Sequence, residues 1–247
     1  MSYCGLVLFD IDGTLLRRAG PHHRQALVHG IRRVTGLDTT TDGIPVQGML
    51  DPIILAEMMR RAGAKRALIR QSLPEVERAA ERYYRRVCPS LEGKHCPGVE
   101  PLLDRLRRRG FLLALVTGNL TRIGWHKLER ACIAQYFRYG AFGEMAATRG
   151  RLVKWAIHEA RQRHALPENA AVTLVGDATS DVIAAGENGI PVVAVRTGIT
   201  PVEDLEALAP DYLLRNLREF RLPMAEGRAN RRAGPRQNRV DILRKQA

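Results

Sequence analysis

The sequence has few of the features that mark secreted, membrane-spanning or zinc-binding proteins. Its four cysteines form no CxxC pair and no zinc-like spacing, which favours reduced thiols in a cytoplasmic protein. No apolar run is long enough to span a bilayer. The first residues also lack the basic segment, apolar core and small-residue cleavage site of a signal peptide. We therefore expect a cytoplasmic protein with neither a membrane span nor a signal peptide.

Lysine is also scarce, because only five of the 39 basic residues are lysines. The formal net charge of +13 is high for a soluble enzyme, and basic residues can recruit nucleic acid or anionic substrates. The coding bias of an arginine-rich proteome would produce the same excess of arginine. Part of the charge is local, in residues 223–247, which are poor in large apolar residues. We expect this basic tail to be largely disordered, with nucleic-acid binding as an alternative role.

Short apolar segments alternate with helical patterns over most of the chain. Strands are predicted at residues 3–9, 111–116, within 136–142, and at 172–175, 191–195 and 212–214. Helices are predicted at residues 99–108, 118–131, 152–164 and 181–188. Alternation of this kind is typical of an α/β fold with a doubly wound, Rossmann-like parallel sheet.

Residues 17–92 depart from this alternation, since they contain apolar residues at helical spacing but no strand-like run. Four amphipathic faces are predicted, within residues 26–34, 53–59, 68–69 and 76–87. We therefore predict three parts: a Rossmann-like core of residues 1–16 and 93–222, an inserted helical cap of residues 17–92, and the basic tail of residues 223–247.

Two aspartates end the first predicted strand, in the segment LVLFDIDGTL at residues 6–15. Parallel α/β sheets bind their ligands in the crevice at the carboxyl ends of the strands. Asp10 and Asp12 would repel each other there unless a cation neutralises them or one stays protonated. Either outcome indicates a metal site, a nucleophile and a nearby acid, whereas the alternative interpretation is a solvated turn.

Two later strand ends carry matching residues. The segment LVTGN ends in Thr117, Gly118 and Asn119, and the segment VGDATSD contains Asp177 and Asp181. In a parallel sheet these strand ends lie along the same edge. Carboxylate oxygens suit Mg²⁺, and backbone amides at a helix start, together with a hydroxyl, suit phosphate. The sequence thus predicts a metal ion that bridges the carboxylates and a phosphoryl group.

The segments FDIDGTL, LVTGN and VGDATSD resemble, in this order, the motifs of the haloacid dehalogenase-like hydrolase superfamily. The helical insert between the first two is similar to the small cap of the phosphoglycolate phosphatase-like branch. The resemblance covers about residues 3–220 and leaves the basic tail outside.

The resemblance implies a role for each carboxylate. Asp10 would attack phosphorus and form an aspartyl-phosphate. Asp12 would protonate the leaving oxygen and then activate water, a role that needs a carboxyl whose pKa is raised by its site. Mg²⁺ would be held by Asp10, the backbone carbonyl of Asp12 and Asp177, with Asp181 as an outer ligand or as the residue that orients a metal-bound water. Residues 117–119 would bind the phosphoryl group.

The superfamily also places a lysine, less often an arginine, just before the helix that leads into the third motif. The segment TRGRLVK at residues 148–154 offers three cations, and no Lys-Pro pair marks the choice. We predict that Arg149, in the loop before this helix, binds the phosphoryl charge, with Arg151 and Lys154 as alternatives.

The predicted function is a Mg²⁺-dependent phosphomonoesterase that acts on a small phosphorylated metabolite. An acid at Asp12 favours esters with a poor alkoxide leaving group over dehalogenation, because a halide leaves without a proton. A sugar phosphomutase shares the first steps and is an alternative, as is a nucleic-acid-associated protein that uses the arginine-rich tail.

Two short segments near the predicted cap are open to more than one interpretation. His22 and His23 are expected to be solvated loop residues, although they would be within reach of a substrate. Residues 47–49 are compatible both with a substrate-reading loop and with a plain turn between cap helices.

Overall fold

The apolar strand β1 (Gly5–Phe9) lies at the centre of a six-stranded parallel sheet in the computed structural model, which describes residues 3–17 and 20–226. The other strands are β2 (Phe111–Val116), β3 (Gly140–Ala141), β4 (Ala171–Gly176), β5 (Val192–Val195) and β6 (Tyr212–Leu214). Their spatial order is β3-β2-β1-β4-β5-β6, and all pairings are parallel. The chain builds one half of the sheet outward from β1 and then the other half, so the predicted doubly wound α/β fold is confirmed.

Helices cover both faces of this sheet. The described helices are α1 (His22–Thr35), α2 (Asp51–Arg61), α3 (Arg66–Val87), α4 (Val99–Arg108), α5 (Thr121–Arg130), α6 (Arg149–Arg163), α7 (Thr179–Glu187), α8 (Val202–Ala207) and α9 (Leu222–Ala225). Along β1, Val7 and Phe9 belong to an apolar cluster with α4 and α5, whereas Leu6 and Leu8 belong to a cluster with α6 and α7. Burial on both faces explains why the strands are apolar throughout.

The register of the central strands aligns the predicted functional segments. Phe9 pairs with Leu115 of β2 on one side and with Val175 of β4 on the other. Asp10 therefore comes level with the ends of both neighbouring strands, and Thr117 and Asp177 follow within two residues. The carboxyl ends of β1, β2 and β4 thus meet at one edge of the sheet.

Three helices, α1 to α3, and no strand lie between β1 and α4 in the part of the chain that is described. The third and fourth predicted amphipathic faces belong to one helix, α3, which continues through the exposed Pro74. Helices α1 and α3 approach closely at Gly30, where a Cβ atom would lie 2.7 Å from the carbonyl oxygen of Val76. We refer to residues 17–92 as the insert.

The insert joins the core through two adjacent chain segments. Cys96 donates its N–H to the carbonyl of Leu15, and Arg17 donates to the carbonyl of Lys94. A bridge between Leu16 and His95 completes this contact. The crossing segments lie directly after Asp12, so movement of the insert would act on this part of the chain.

Several element ends differ from the prediction; helix α5, for example, begins at Thr121, three residues later than predicted. Helix α6 begins at Arg149, three residues earlier than predicted, because the hydroxyl of Thr148 accepts the N–H of Arg151 and caps the helix. Helix α9 includes the first residues of the predicted tail, where the hydroxyl of Thr173 donates to the carbonyl of Met224 at 2.9 Å. Residues 227–247, the rest of the predicted tail, lie outside the described residues.

The four cysteines are free thiols, with Cys88 and Cys96 buried and Cys4 and Cys132 exposed. None of the described helices combines the length and the apolar character that a membrane crossing requires.

Candidate active site

Arg149 joins two of the predicted carboxylates at this edge of the sheet. Its Nη1 donates to Oδ1 of Asp10 at 3.2 Å and to Oδ1 of Asp181 at 2.6 Å, and all three side chains are buried. Burial opposes the charge of Arg149, but the carboxylates of Asp181 and Asp10 raise its pKa above the ordinary value. The guanidinium is therefore charged and fixed between the two aspartates.

Asp177 completes the cluster from the end of β4. Its Oδ1 accepts from the hydroxyl of Thr14 at 3.1 Å, and its Oδ2 accepts from Nε2 of Gln47 at 2.8 Å. Burial, followed by repulsion from Asp10 and Asp181, raises the pKa of Asp177 well above its usual range. Burial also raises the pKa of Asp10 to about 6, against the opposing charge of Arg149. The cluster thus holds more negative charge than its own cations balance.

The three carboxylates fit a metal ion. Asp10, Asp177 and Asp181 each offer one oxygen, and these oxygens lie within 4.8 Å of one another. When ionised, the three carboxylates face one guanidinium, which leaves two negative charges in excess, the charge of one divalent cation. Oxygen donors in this number suit a hard cation such as Mg²⁺. The side chain of Asp12 is outside this group.

The carboxylate of Asp177 occupies space that is free only because two neighbouring residues are glycines. A Cβ atom at Gly13 would lie 2.4 Å from Oδ2 of Asp177, and a Cβ atom at Gly198 would lie 1.7 Å from it. Gly13 also has a φ of +88°, which other residues rarely adopt. The glycine of the first motif is therefore explained by the close approach of the backbone to Asp177.

A separate group of residues holds the carboxylate of Asp12. Its Oδ2 accepts from Nζ of Lys127 at 2.5 Å and from Nδ2 of Asn119 at 2.9 Å. Lys127 is 1 % exposed, whereas the side chain of Asp12 keeps 44 % of its surface exposed. The ammonium group thus fixes Asp12 from the protein side while Asp12 stays accessible to a substrate.

The electrostatics of Asp12 differ from the sequence-based expectation of a raised pKa. Burial does raise the pKa of Asp12, but the charge of the Lys127 ammonium group, together with the hydrogen bonds from Lys127 and Asn119, outweighs burial. The pKa therefore lies below the ordinary value. The expectation, which followed from the role that the resemblance implies, is wrong because it left out a buried lysine that no motif marks.

The residues of the second motif line the same cavity as Asp10 and Asp12. Thr117 is buried, and its Oγ1 accepts from Nδ2 of Asn119 at 2.7 Å. The carbonyl of Gly118 accepts the N–H of Asp51 from the insert at 2.8 Å. The side chain of Asn119 also accepts from Lys127 at 2.6 Å, so it is bonded to Thr117, Asp12 and Lys127 at once.

The three basic residues considered for phosphate binding lie in different surroundings. Arg149 is buried beside Asp10 and lines the cavity. Arg151 and Lys154 are exposed on α6, and Lys154 borders a separate surface groove. Only Arg149 of the three lies within hydrogen-bond distance of Asp10.

Lys127 belongs to none of the sequence motifs, and His23 was expected to lie in a solvated loop. His23 lies in the first turn of α1, with Nε2 2.9 Å from Oδ2 of Asp51 and Nδ1 3.2 Å from Nζ of Lys127. One signal for Lys127 was present, because it lies four residues after Ile123 and next to Leu128 on the apolar face of α5. A charged residue at an apolar position indicates a buried partner.

Residues 47–49 contact the core directly at the catalytic edge. Gln47 bonds to Asp177, and a Cβ atom at Gly48 would lie 2.4 Å from Oγ of Ser180. A Cβ atom at Gly118 would in turn lie 2.2 Å from the carbonyl oxygen of Met49. This loop therefore closes over the strand ends, as a loop that reads a substrate would.

A cavity of about 160 Å³ lies between the insert and the core. Cavities of about 150 Å³ hold one benzene molecule, so the space suits a small ligand. Arg24 lines this cavity and also an adjoining cleft of about 880 Å³, where Arg17 and Lys94 are found. None of these three cations forms an ion pair with a residue that the structure describes. The entrance is therefore positively charged.

Comparison with known proteins gives a consistent result for sequence and fold. The model of the family described as haloacid dehalogenase-like hydrolase matches residues 4–189. A phosphoglycolate phosphatase of Agrobacterium fabrum is 29% identical over 222 residues, which cover 85% of this chain and 87% of that protein. A phosphoglycolate phosphatase of Vibrio parahaemolyticus is 26% identical over 232 residues, with 87% and 93% covered.

Among solved structures, CbbY from Rhodobacter sphaeroides in complex with phosphate superposes with a TM-score of 0.66 at 18% identity. The match covers 87% of this chain and 96% of that chain. At this identity the likeness shows the fold.

Proposed function

The chain belongs to the haloacid dehalogenase-like hydrolase family, and from this premise we propose that it is a cytoplasmic, Mg²⁺-dependent phosphomonoesterase. Its substrate would be a small phosphorylated metabolite, hydrolysed through an aspartyl-phosphate on Asp10. One observation carries the proposal: Asp10, Asp177 and Asp181 are clustered around Arg149 at one strand edge, with two negative charges in excess. This arrangement supports binding of both a divalent cation and a phosphoryl group.

In the first step, a carboxylate oxygen of Asp10 attacks phosphorus, and the bond between phosphorus and the ester oxygen breaks. Arg149 holds Asp10 by a hydrogen bond, while its remaining N–H groups are available to the phosphoryl oxygens. Mg²⁺ held by Asp10 and Asp177 would offset the charge of these oxygens. The family match and the buried aspartates support this role of the metal ion.

Asp12 would carry out both proton transfers, first as the acid and then as the base. The negative charge of the arriving phosphoryl group raises the pKa of Asp12 in the complex, so that it can hold the proton that the leaving oxygen takes up. Asp12 is then ionised and accepts a proton from the water that cleaves the aspartyl-phosphate. The hydrogen bonds from Lys127 and Asn119 keep its carboxylate in one orientation for both steps.

The cavity supports a leaving group that is small and anionic. A volume of about 160 Å³ is sufficient for a phosphoryl group with a small leaving group. Arg24 lines this cavity and forms no ion pair with a described residue, so its positive charge supports an anionic leaving group. Phosphoglycolate meets both conditions and is the substrate named for the curated relatives, so it is the first ester to test.

The test measures phosphate release from phosphoglycolate and a panel of other small phosphomonoesters, with Mg²⁺ or with a chelator. We expect release that requires Mg²⁺ and that is lost in Asp10→Asn, which keeps the shape of the side chain but removes the nucleophile. An Asp10→Asn variant with substantial remaining turnover would exclude Asp10 as the nucleophile. Interconversion of a sugar phosphate without net release of phosphate would indicate a mutase instead.

A further inference from the structure

The proposed reaction does not use Asp51, a buried carboxylate of the insert. Asp51 is the first residue of α2, and its Oδ2 accepts from the N–H of Leu120 and from Nε2 of His23, each at 2.9 Å. Leu120 directly precedes α5, so this side chain joins the insert to the start of a core helix. Buried carboxylates are costly unless several donors satisfy them, and both donors here lie next to the catalytic edge.

From His23 the hydrogen bonds continue to the active site through Lys127. The ammonium group of Lys127 has three protons and no acceptor. Three acceptors surround it: Oδ2 of Asp12 at 2.5 Å, Oδ1 of Asn119 at 2.6 Å and Nδ1 of His23 at 3.2 Å. Each proton therefore has one acceptor.

This arrangement fixes the state of the His23 ring. Since Lys127 can only donate, Nδ1 of His23 must accept, and Nε2 of the neutral ring must carry the proton that it donates to Asp51. The direction of every hydrogen bond from Leu120 to Asp12 is thereby set. Rotation of Asp51 or Lys127 would leave a buried acceptor or donor without a partner.

We propose that Asp51 is a positioning residue that orients Asp12 through His23 and Lys127. Because Asp51 belongs to the insert and Lys127 to the core, the orientation of Asp12 is complete only while the insert is docked on α5. The inference rests on the proposed function, in which Asp12 transfers the proton to the leaving group.

Glu81 provides a matched control for docking alone. Its Oε1 accepts the N–H of Arg122 at 3.0 Å, at the same end of α5, and it is carried by α3 of the insert. Among the described residues, Glu81 accepts a hydrogen bond from the backbone of Arg122 and forms an ion pair with its side chain. Neither His23 nor Lys127 is among these partners. Asp51 and Glu81 thus both hold the insert on the start of α5, whereas only Asp51 is connected to Asp12.

The experiment compares two small substrates that differ in the need for a proton. Phosphoglycolate, or the alkyl ester of the panel with the fastest turnover, releases an alkoxide that must be protonated. Acetyl phosphate releases a carboxylate that leaves without a proton. The quantity measured is kcat/KM, which reports the steps through phosphoryl transfer, for the wild type and for Asp51→Ala, His23→Ala, their double variant and Glu81→Ala at fixed Mg²⁺ and pH.

We expect Asp51→Ala and His23→Ala each to lower kcat/KM for the alkyl ester by about 10-fold, a part of the roughly 100-fold or more that a positioned general acid contributes. For acetyl phosphate the loss should stay below about threefold, because no proton is needed there. The loss of kcat/KM in the double variant should be no larger than that of the more impaired single variant, because both changes break the same hydrogen-bond chain. Glu81→Ala should lower kcat/KM for both substrates by the same factor.

Equal losses for the two substrates in Asp51→Ala, or losses that add in the double variant, would overturn the proposal. If Asp51→Ala does not fold, Asp51→Leu takes its place, because it fills the space of the side chain and removes both acceptor oxygens; the same substrate difference is expected. A wild type that releases no phosphate from any ester contradicts the proposed function and the inference with it. Release by the wild type without the substrate difference contradicts the inference alone.

Discussion

The ammonium group of Lys127 lies 2.5 Å from Oδ2 of Asp12 and is enclosed by protein on all sides. This ion pair connects α5 with the residue two positions after the proposed nucleophile. Because water does not reach the ammonium group, a change at Lys127 cannot be compensated by solvation. The pair therefore determines both the charge and the orientation of Asp12.

Replacing Lys127 by methionine keeps the length of the side chain and removes its charge and donors. We expect kcat/KM for an alkyl phosphate to fall by about 10- to 100-fold, because Asp12 loses the partner that fixes it. Unfolding in urea should show a loss of about 1–3 kcal/mol, since Asn119 and His23 are left with unmet hydrogen bonds. The control is Lys154→Met on exposed α6, which should match the wild type. Wild-type kinetics in Lys127→Met would show that the lysine serves stability alone.

The sequence was sufficient to predict the sheet and the alignment of its motifs. Each strand of the centre is a short apolar run, and the pairing of Phe9 with Leu115 and Val175 confirms the predicted common edge of the strand ends. The family match confirms the resemblance that the three motifs indicate. Local pattern and global fold agree here, because these residues are buried by neighbours of the same kind.

The contacts between insert and core could not be predicted in this way. His23 contacts Lys127 from 104 residues away, and Asp51 contacts Leu120 from 69 residues away. Such pairs depend on how two helical layers pack, which periodicity does not specify. The apolar position of Lys127 on α5 indicated a buried charge, but it did not identify Asp12 as its partner.

Arg149 should matter more for activity than its two basic neighbours. Arg149→Ala removes a buried guanidinium between Asp10 and Asp181, so we expect a loss of about 100-fold or more in kcat/KM. Arg151→Ala and Lys154→Ala change exposed residues of the same helix and should retain nearly full activity. Steady-state kinetics on one ester suffices for the comparison. The opposite order of losses would assign the phosphate-binding role to one of the exposed residues.

Asp177→Asn should have opposite effects on stability with and without metal. In the metal-free protein, Asp177 has a raised pKa, so its ionisation costs stability as pH rises through that value. The asparagine removes this cost, and the metal-free variant should melt at or above the wild-type temperature at pH 7. Added Mg²⁺ should stabilise the wild type, by about 2.7 kcal/mol at 100 times its dissociation constant, and leave the variant unchanged. Thermal melts with a chelator and with Mg²⁺ test both signs, and an equal Mg²⁺ response would exclude Asp177 as a ligand.

Glu77 on α3 should make the stability of the protein depend on pH near neutrality. Burial, followed by the charges of Glu144, Glu81 and Asp51, raises its pKa from 4.5 to about 7. Stability associated with this group is complete below pH 4.5 and is lost as pH rises to about 7, because the folded protein resists its ionisation. Glu77→Gln should therefore be more stable than the wild type at pH 8, by on the order of 1 kcal/mol after allowance for solvent screening.

Urea unfolding at several pH values measures this difference. At pH 4 the wild type and Glu77→Gln should have the same free energy of unfolding, and their curves should separate as pH rises. Glu75→Gln on the same helix is the control of opposite sign, because hydrogen bonds from Arg78 and Arg82 lower the pKa of Glu75. That variant should gain nothing at high pH. Parallel pH curves for the wild type and Glu77→Gln would mean that Glu77 ionises at its ordinary value, and that the carboxylates where the insert meets α5 do not repel one another.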